Sequence, residues 1–469
     1  MHIFSRTYHR VAAIAVMGAV ILTGTAQISQ AQAPPEKKVK DQGEYDIYNQ
    51  TLKDQANPAA LLKDLDAWAQ KYPGSDYKDD RLYYYITAYN GTNQPAKVLE
   101  VGSGLLDRDL KTVFTDPKAA PQQILTVLYM MSVNVLKLPT ATPDQMSAGE
   151  KAAHALQEFV PNFFTAANKP AGATDAAWTE GRTTMEKVAK DTLAYLATKP
   201  GAEALNRYAT SKDIKECAVA ESTYRKALEQ FPDSAQMAYQ LGRALRCQQT
   251  LGPEKVPQAL YEFARAADLD PTLGGTMDPK ALNTYLDNAY NSYHGGLDGL
   301  DQLKTMAKVS PLPPADLKIE TASAIATKKQ AEFEQSNPQL ALWMRIKGAL
   351  ADTNGADYFE KELKDSAVPP MKGTLVEGKP ACKSKELLVA IPLPDATGNP
   401  VAEITLKLDA WALAGSPEAG TIIQWTGVPK AFTKDPFMLT MEVEKDKLEN
   451  VKTTPCAAAP AKKAAPKKK

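Results

Sequence analysis

Histidine and cysteine are scarce in this chain, at four residues each among 469. Two of the histidines fall within the first ten residues, which leaves His154 and His294 for the body of the protein. His154 sits in Ala152-Ala153-His154-Ala155-Leu156, a helical context that puts it on a helix surface. His294 precedes Gly295-Gly296, where capping of a turn accounts for it. There is no Cys-x-x-Cys pair, no metal-spaced cluster, no glycine-rich phosphate loop and no Gly-x-Ser-x-Gly elbow. Metal, redox, phosphate-loop and serine-hydrolase chemistry therefore have no support. Carboxylate pairs such as Asp298 and Asp301 are abundant, and helix surfaces always offer such pairs. They leave a carboxylate-dependent enzyme open as an alternative without pointing to one. The expectation is a non-enzymatic protein with no catalytic residue, no cofactor and no metal.

Long apolar runs are also missing after Leu22, so no membrane span is expected in the mature chain. Before it, Arg6 and Arg10 precede an apolar run from Val11 to Leu22, and small and polar residues follow to Ser29-Gln30-Ala31. This is the order of a secretory signal peptide over residues 1–31. The run is about 12 residues, against roughly 20 for a spanning helix, so cleavage is favoured over anchoring. Ala31-Gln32-Ala33 competes as a site, but Pro34 would follow that cut. No cysteine lies near the cut, which argues against a lipoprotein. The expected location is periplasmic or extracellular in a bacterium.

The formal charge is zero, with 55 basic and 55 acidic residues. That balance hides a polarity. Residues 457–469 hold five lysines, no acids, and otherwise alanine and proline, a composition that does not support a packed core. This tail is expected to be disordered, with contact to anionic envelope components as its second reading. Without Arg6, Arg10 and those lysines the chain has 48 basic residues against 55 acidic ones. A mildly acidic body makes nucleic acid an unexpected partner.

What the sequence does contain is a repeated spacing. Ala220, Tyr224, Ala227 and Pro232 are separated by four, three and five residues. Leu241-Gly242 is followed by Ala259, Phe263, Ala266 and Pro271 at the same spacings. Small residues at helical spacing let a partner helix approach, the aromatic fills the gap between neighbours, and proline follows the helix end. The pattern resembles the tetratricopeptide repeat (TPR), a helix–turn–helix unit of about 34 residues that stacks into solenoids. The second unit is longer, and Gly252 to Val256 looks like its insertion. Leu286, Tyr290, Gly299, Leu303, Met306 and Pro311 mark a third unit. Leu61, Leu65, Trp68 and Pro73, then Leu82, Ile86, Leu99 and Gly102, mark degenerate earlier ones. The resemblance implies a TPR-like helical solenoid over residues 34–367.

Four cysteines in an exported chain favour disulfides. Cys217 lies about 16 residues before the turn at Asp233-Ser234 and Cys247 about 13 after it, so antiparallel helices bring them to similar height. Cys382 and Cys456 then pair by elimination. Composition changes near Val368-Pro369-Pro370. Upstream, Leu340, Trp343, Met344, Ile346 and Leu350 keep helical spacing. Downstream, short alternating runs fall at residues 373–377, 386–391, 403–408, 421–427 and 437–444. They predict a small five-stranded β-barrel or sandwich over residues 371–456, with an OB-type barrel as one option. Trp411, Trp425, Phe432 and Phe437 read as its core.

The function expected is a protein–protein interaction scaffold, with another protein or a peptide held in the groove. The alternative is an envelope ligand-binding protein of the glycan type, which resembles this chain in size and helical repeats. The first helix of a TPR unit lines the groove. With Leu241-Gly242 setting the core phase, Tyr239, Arg243 and Arg246 share the opposite stripe, and Thr284, Asn288 and Asn291 correspond in the third unit. Arginine can clamp a carboxylate through two hydrogen bonds, and asparagine can pair with a peptide group. The competing reading is a solvated helix face. The TPR carboxylate clamp is matched only in part.

Overall fold

A computed structural model describes residues 37–456 apart from 392–397 and 409. The segment read as a signal peptide and the lysine-rich tail lie outside the described residues. Contacts divide the chain into two compact units, at Ile319 and Glu320.

The first unit holds thirteen helices among its described residues. They are α1 (Gln42–Lys53), α2 (Pro58–Lys71), α3 (Lys78–Gly91), α4 (Pro95–Leu106), α5 (Leu110–Val113), α6 (Ala120–Val135) and α7 (Pro143–Phe163). After them come α8 (Asp175–Ser211), α9 (Ile214–Gln230), α10 (Ala235–Arg246), α11 (Lys255–Leu269), α12 (Pro279–His294) and α13 (Leu300–Val309). Local chemistry sets many of the starts. Asn57 caps α2 ahead of Pro58, Ser234 caps α10, and Thr142 with Gln145 forms a capping box on α7. The stops follow the repeat spacing. α9, α11 and α13 end two residues before Pro232, Pro271 and Pro311.

Packing is between neighbours, in a solenoid-like arrangement. α3 packs on α4, α6 on α7, α8 on α9, and α10 on both α9 and α11. α6 also touches α3, α4 and α8. The apolar interior is broken into clusters along the chain. One surrounds Leu61, Leu65 and Trp68, a second runs from Ile86 to Ala189, and a third from Ala204 to Leu317. The long α8 contributes Ala189 to the second and Ala204 to the third. The small residues read from the sequence do bring helices close. A Cβ on Gly242 would sit 2.7 Å from the Phe263 ring, and one on Gly102 would overlap the Met131 side chain. Met306 departs from its expected packing role and is 41% exposed, because α13 turns its carbonyl, not its side chain, toward Tyr261. His154 is exposed on α7, and His294 ends α12 just before the left-handed Gly295 cap.

Both cysteine pairs are bonded. Cys217 and Cys247 have Cα atoms 6.3 Å apart, and Cys382 and Cys456 5.7 Å apart. The first ties the first turn of α9 to the end of α10.

The second unit begins with α14 (Ala322–Ser336), α15 (Pro338–Ala351) and α16 (Gly355–Tyr358). The strands are β1 (Met371–Lys379), β2 (Glu386–Ala390), β3 (Ile404–Leu408), β4 (Ser416–Pro417), β5 (Ile422–Trp425), β6 (Val428–Lys434), β7 (Phe437–Val443), β8 (Leu448–Glu449) and β9 (Thr453–Thr454). Trp343, Ile346 and Leu350 of α15 share a core with Leu375, Leu387, Leu406 and Met441 of the sheet. The helices just before residue 368 thus pack with the strands, and Val368-Pro370 marks only where helix gives way to strand. The expected five-stranded barrel or sandwich is corrected. The sheet has seven strands in the order β6-β7-β3-β2-β1-β5-β8 and is not closed, while β4 and β9 pair separately. Its pairing is mixed, since β3 runs parallel to β7 and antiparallel to β2. β6 escaped the sequence reading because Pro429, Lys430 and Lys434 interrupt its apolar pattern, which an edge strand tolerates. Trp425 is buried, and Trp411, Phe432 and Phe437 pack against the core from partly buried positions.

Candidate functional site

The candidate groove residues lie on α10 and α12, and the structure divides them by exposure. Tyr239 is half-buried, with its ring 5.8 Å from that of Phe263, so it belongs mostly to the packing. Phe263 in turn meets Tyr285 edge-on at 5.0 Å, so one buried ring of α11 joins α10 to α12. Arg243 is exposed, and its guanidinium donates to the Gln240 side chain 3.0 Å away on the same helix. Arg246 is half-buried, and Thr284, Asn288 and Asn291 are exposed. The spacing thus presents Arg243, Asn288 and Asn291 to solvent from two helices joined through Phe263. The aromatic at 41% exposure is Tyr285, a position adjacent to the expected stripe.

Two polar constellations went unread in the sequence. The first lies on α2 and α3 and reaches the C-terminal end of α6. Tyr85 and Tyr89 stack with centroids 5.7 Å apart and planes at 20°, and the Tyr85 hydroxyl donates to Asp66 at 2.8 Å. Burial first, then that carboxylate, pushes the Tyr85 phenol up. One residue beyond Tyr89, the Asn90 side-chain oxygen accepts from Asn134 at 2.8 Å and from Lys137 at 3.3 Å. The signal was present as Leu82-Tyr83-Tyr84-Tyr85-Ile86, a tyrosine run on a helix with two packed neighbours.

The second constellation lies between α9 and α11. Glu221 accepts from Lys255, Gln248 and Arg225, and Arg225 also donates to Gln258. One turn beyond Gln258, Glu262 is fully buried with no hydrogen-bond partner for either oxygen among the described residues. Arg265 is buried beside it, donating to the carbonyls of Ala307 and Pro232. Burial drives the Glu262 pKa well above its ordinary 4.5, and the Arg225 and Arg265 charges only partly oppose this. A carboxyl with a raised folded pKa contributes stability that is full below the unfolded value. That stability is lost as pH rises through the folded one. Glu262→Met is therefore expected to raise the melting temperature near pH 8, by the equivalent of about 1–3 kcal/mol for a relieved buried polar group. The gain should shrink toward pH 4.5. Thermal melts of both proteins at the two pH values check this, and a gap independent of pH would contradict it.

No family model, curated protein or solved structure matches the chain. Among the described residues no cluster of histidine, cysteine and carboxylate has metal-binding geometry, and no helix is long and apolar enough to cross a membrane.

Proposed function

We propose that the helical unit is a non-enzymatic, TPR-like scaffold that works outside the cytoplasm and holds an extended segment of a partner protein against α10 and α12. The observation that carries this is the Phe263 joint. It holds two helices by buried contacts while Arg243, Asn288 and Asn291 stay exposed on them. A guanidinium and two amides on rigid helices suit a peptide backbone or carboxylate. The two disulfides are compatible with an oxidising compartment. The leader-like residues 1–31 support export independently.

The test compares partner recovery by the tagged wild-type chain with that by Arg243→Ala/Asn288→Ala. Neither side chain is core, so the double variant should fold. It should lose partner binding by about tenfold or more, a loss of roughly 1.4 kcal/mol. Unchanged recovery by the folded variant removes this site.

A glycan-type ligand is the second reading, and the stacked Tyr85–Tyr89 pair beside Asp66 and Asn90 favours it. Aromatic faces and amide groups are what sugar rings use. Oligosaccharide-dependent fluorescence change in the wild type, absent in Tyr89→Ala, would move the assignment from peptide to glycan.

A further inference from the structure

Six buried side-chain nitrogen and oxygen atoms have no hydrogen-bond partner among the described residues, and three of them stand together on α11. They are both Glu262 oxygens and the Arg265 Nε. The two residues are one turn apart on the same helix, a spacing at which a carboxylate and a guanidinium can meet. Glu262 is fully buried and Arg265 is buried beside it. An acceptor and a donor are thus both left unpaired on one helix face, at a depth where each unpaired group is costly.

The rest of the guanidinium is engaged elsewhere. Its two terminal nitrogens donate to the carbonyls of Ala307 and Pro232, each at 2.8 Å. Tyr261, next to Glu262, donates its hydroxyl to the carbonyls of Met306 at 3.1 Å and Ser310 at 2.9 Å. These contacts matter to α13, because a helix leaves its last four carbonyls without an internal partner. α13 ends at Val309, and among the described residues no backbone bond closes at its cap residue Ser310. Met306 and Ala307 belong to that last turn, so side chains of α11 do for α13 what its own cap does not. Residues 310–319 then complete the helical unit.

The charges around Glu262 leave Arg265 as the partner at hand. Arg225 of α9 acts on Glu262 but is bonded to Glu221 and Gln258. On α10, Arg243 donates to Gln240, and Arg246 lies in the last turn. Lys304 and Lys308 of α13 pair with Asp287 of α12 and Asp268 of α11. Lys255 at the start of α11 pairs with Glu221. Asp233, in the turn before α10, lies 3.7 Å from Arg265 and is exposed.

We propose that Glu262 and Arg265 form a pH-operated latch on the C-terminal end of α13. With Glu262 neutral, Arg265 holds Ala307 and Pro232, and α13 is locked to α11. When Glu262 gives up its proton to water, the buried anion draws the guanidinium, which releases the Ala307 carbonyl. The last turn of α13 is then held by Tyr261 alone and loosens, and residues 310–319 loosen with it. Burial keeps Glu262 neutral above the ordinary carboxyl range, so the latch is closed at acidic pH and opens as pH rises through the raised value. The device acts within the helical unit and does not rest on any ligand at α10 and α12.

Hydrogen–deuterium exchange of the natively folded full chain tests this, read on peptides covering residues 300–310 at about pH 5 and about pH 9, with each rate referred to that of the unfolded chain at the same pH. Protection of these amides is expected to fall by about tenfold or more at the higher pH, the effect of losing one charge-assisted bond. Peptides from α2, in the separate cluster around Leu61, Leu65 and Trp68, should keep theirs. Glu262→Gln has no proton to lose and should show equal protection at both pH values. The same loss in Glu262→Gln overturns the latch, and so does unchanged α13 protection in the wild type. The wild type alone supplies a second measurement that does not depend on the variant folding. The infrared carbonyl band of its protonated buried carboxyl should disappear over the same pH interval in which α13 loses protection. Loosening of α13 in a different interval overturns the proposal.

Discussion

Phe263→Ala is expected to destabilise the helical unit by about 3–5 kcal/mol, the usual range for deleting a buried ring. Phe263 is 1% exposed, contacts Gly242 of α10 and stands between Tyr239 and Tyr285. Urea unfolding followed by helical circular dichroism reads the loss. The same ring makes a sharper, non-additive result possible. Gly242→Ala alone should destabilise, because its new Cβ would fall 2.7 Å from the ring. In the Phe263→Ala background the space is vacated. There the glycine substitution should be neutral or helpful, since alanine favours a helix interior over glycine by about 1 kcal/mol. A double-mutant cycle measures this directly. Equal effects of Gly242→Ala in both backgrounds would show that the ring does not set the close approach of α10 and α11.

Loss of the Cys217–Cys247 bond should cost about 3–4 kcal/mol by loop-closure entropy, given a separation of 30 residues. The surroundings of the bond hold the two helix ends together without it. Cys217 is fully buried, and the Gln248 amide next to Cys247 bonds the Cys217 carbonyl and Glu221. Those bonds should preserve the α9–α10 junction in Cys217→Ala/Cys247→Ala, so the variant folds and melts earlier. Denaturant titration of this pair variant, with Cys382–Cys456 intact, isolates the term. A midpoint equal to that of the wild type would show that the unfolded chain gains no freedom from the break.

What could be read in the residues follows from how repetitive each signal was. The α9–α11 region was legible because small, aromatic and proline positions recur at one spacing, and each plays one packing role. The Cys217–Cys247 pair was legible from helix rise alone. Five of the strands were legible from alternation, but β6 carries Pro429 and two lysines, and its place beside β7 depends on a mixed-sheet order that no local pattern encodes. The stripe on α10 and α12 was read only in part. Helical phase places Tyr239 on it, whereas in the structure its ring packs against Phe263 and the neighbouring Tyr285 is 41% exposed. The Asn90–Asn134–Lys137 contact and the buried Glu262 were invisible because each depends on side chains distant in sequence or on depth within the fold.

The pairing of β3 bears on the order in which the chain acquires its structure. Along the helical unit each helix finds its packing partners among helices nearby in sequence, so contacts close short loops and form quickly. β3 cannot obtain its second neighbour until Phe437–Val443 has been made and has returned alongside it as a parallel strand. β8 and the Cys456 bond come later still. As the chain is synthesised, the helical unit should therefore consolidate piecewise while the sheet waits for the strands that follow Phe437. Until then the β3 edge that β7 will cover leaves its backbone N–H and C=O groups unpaired, and this is the interval in which the sheet is most open to pairing with another chain.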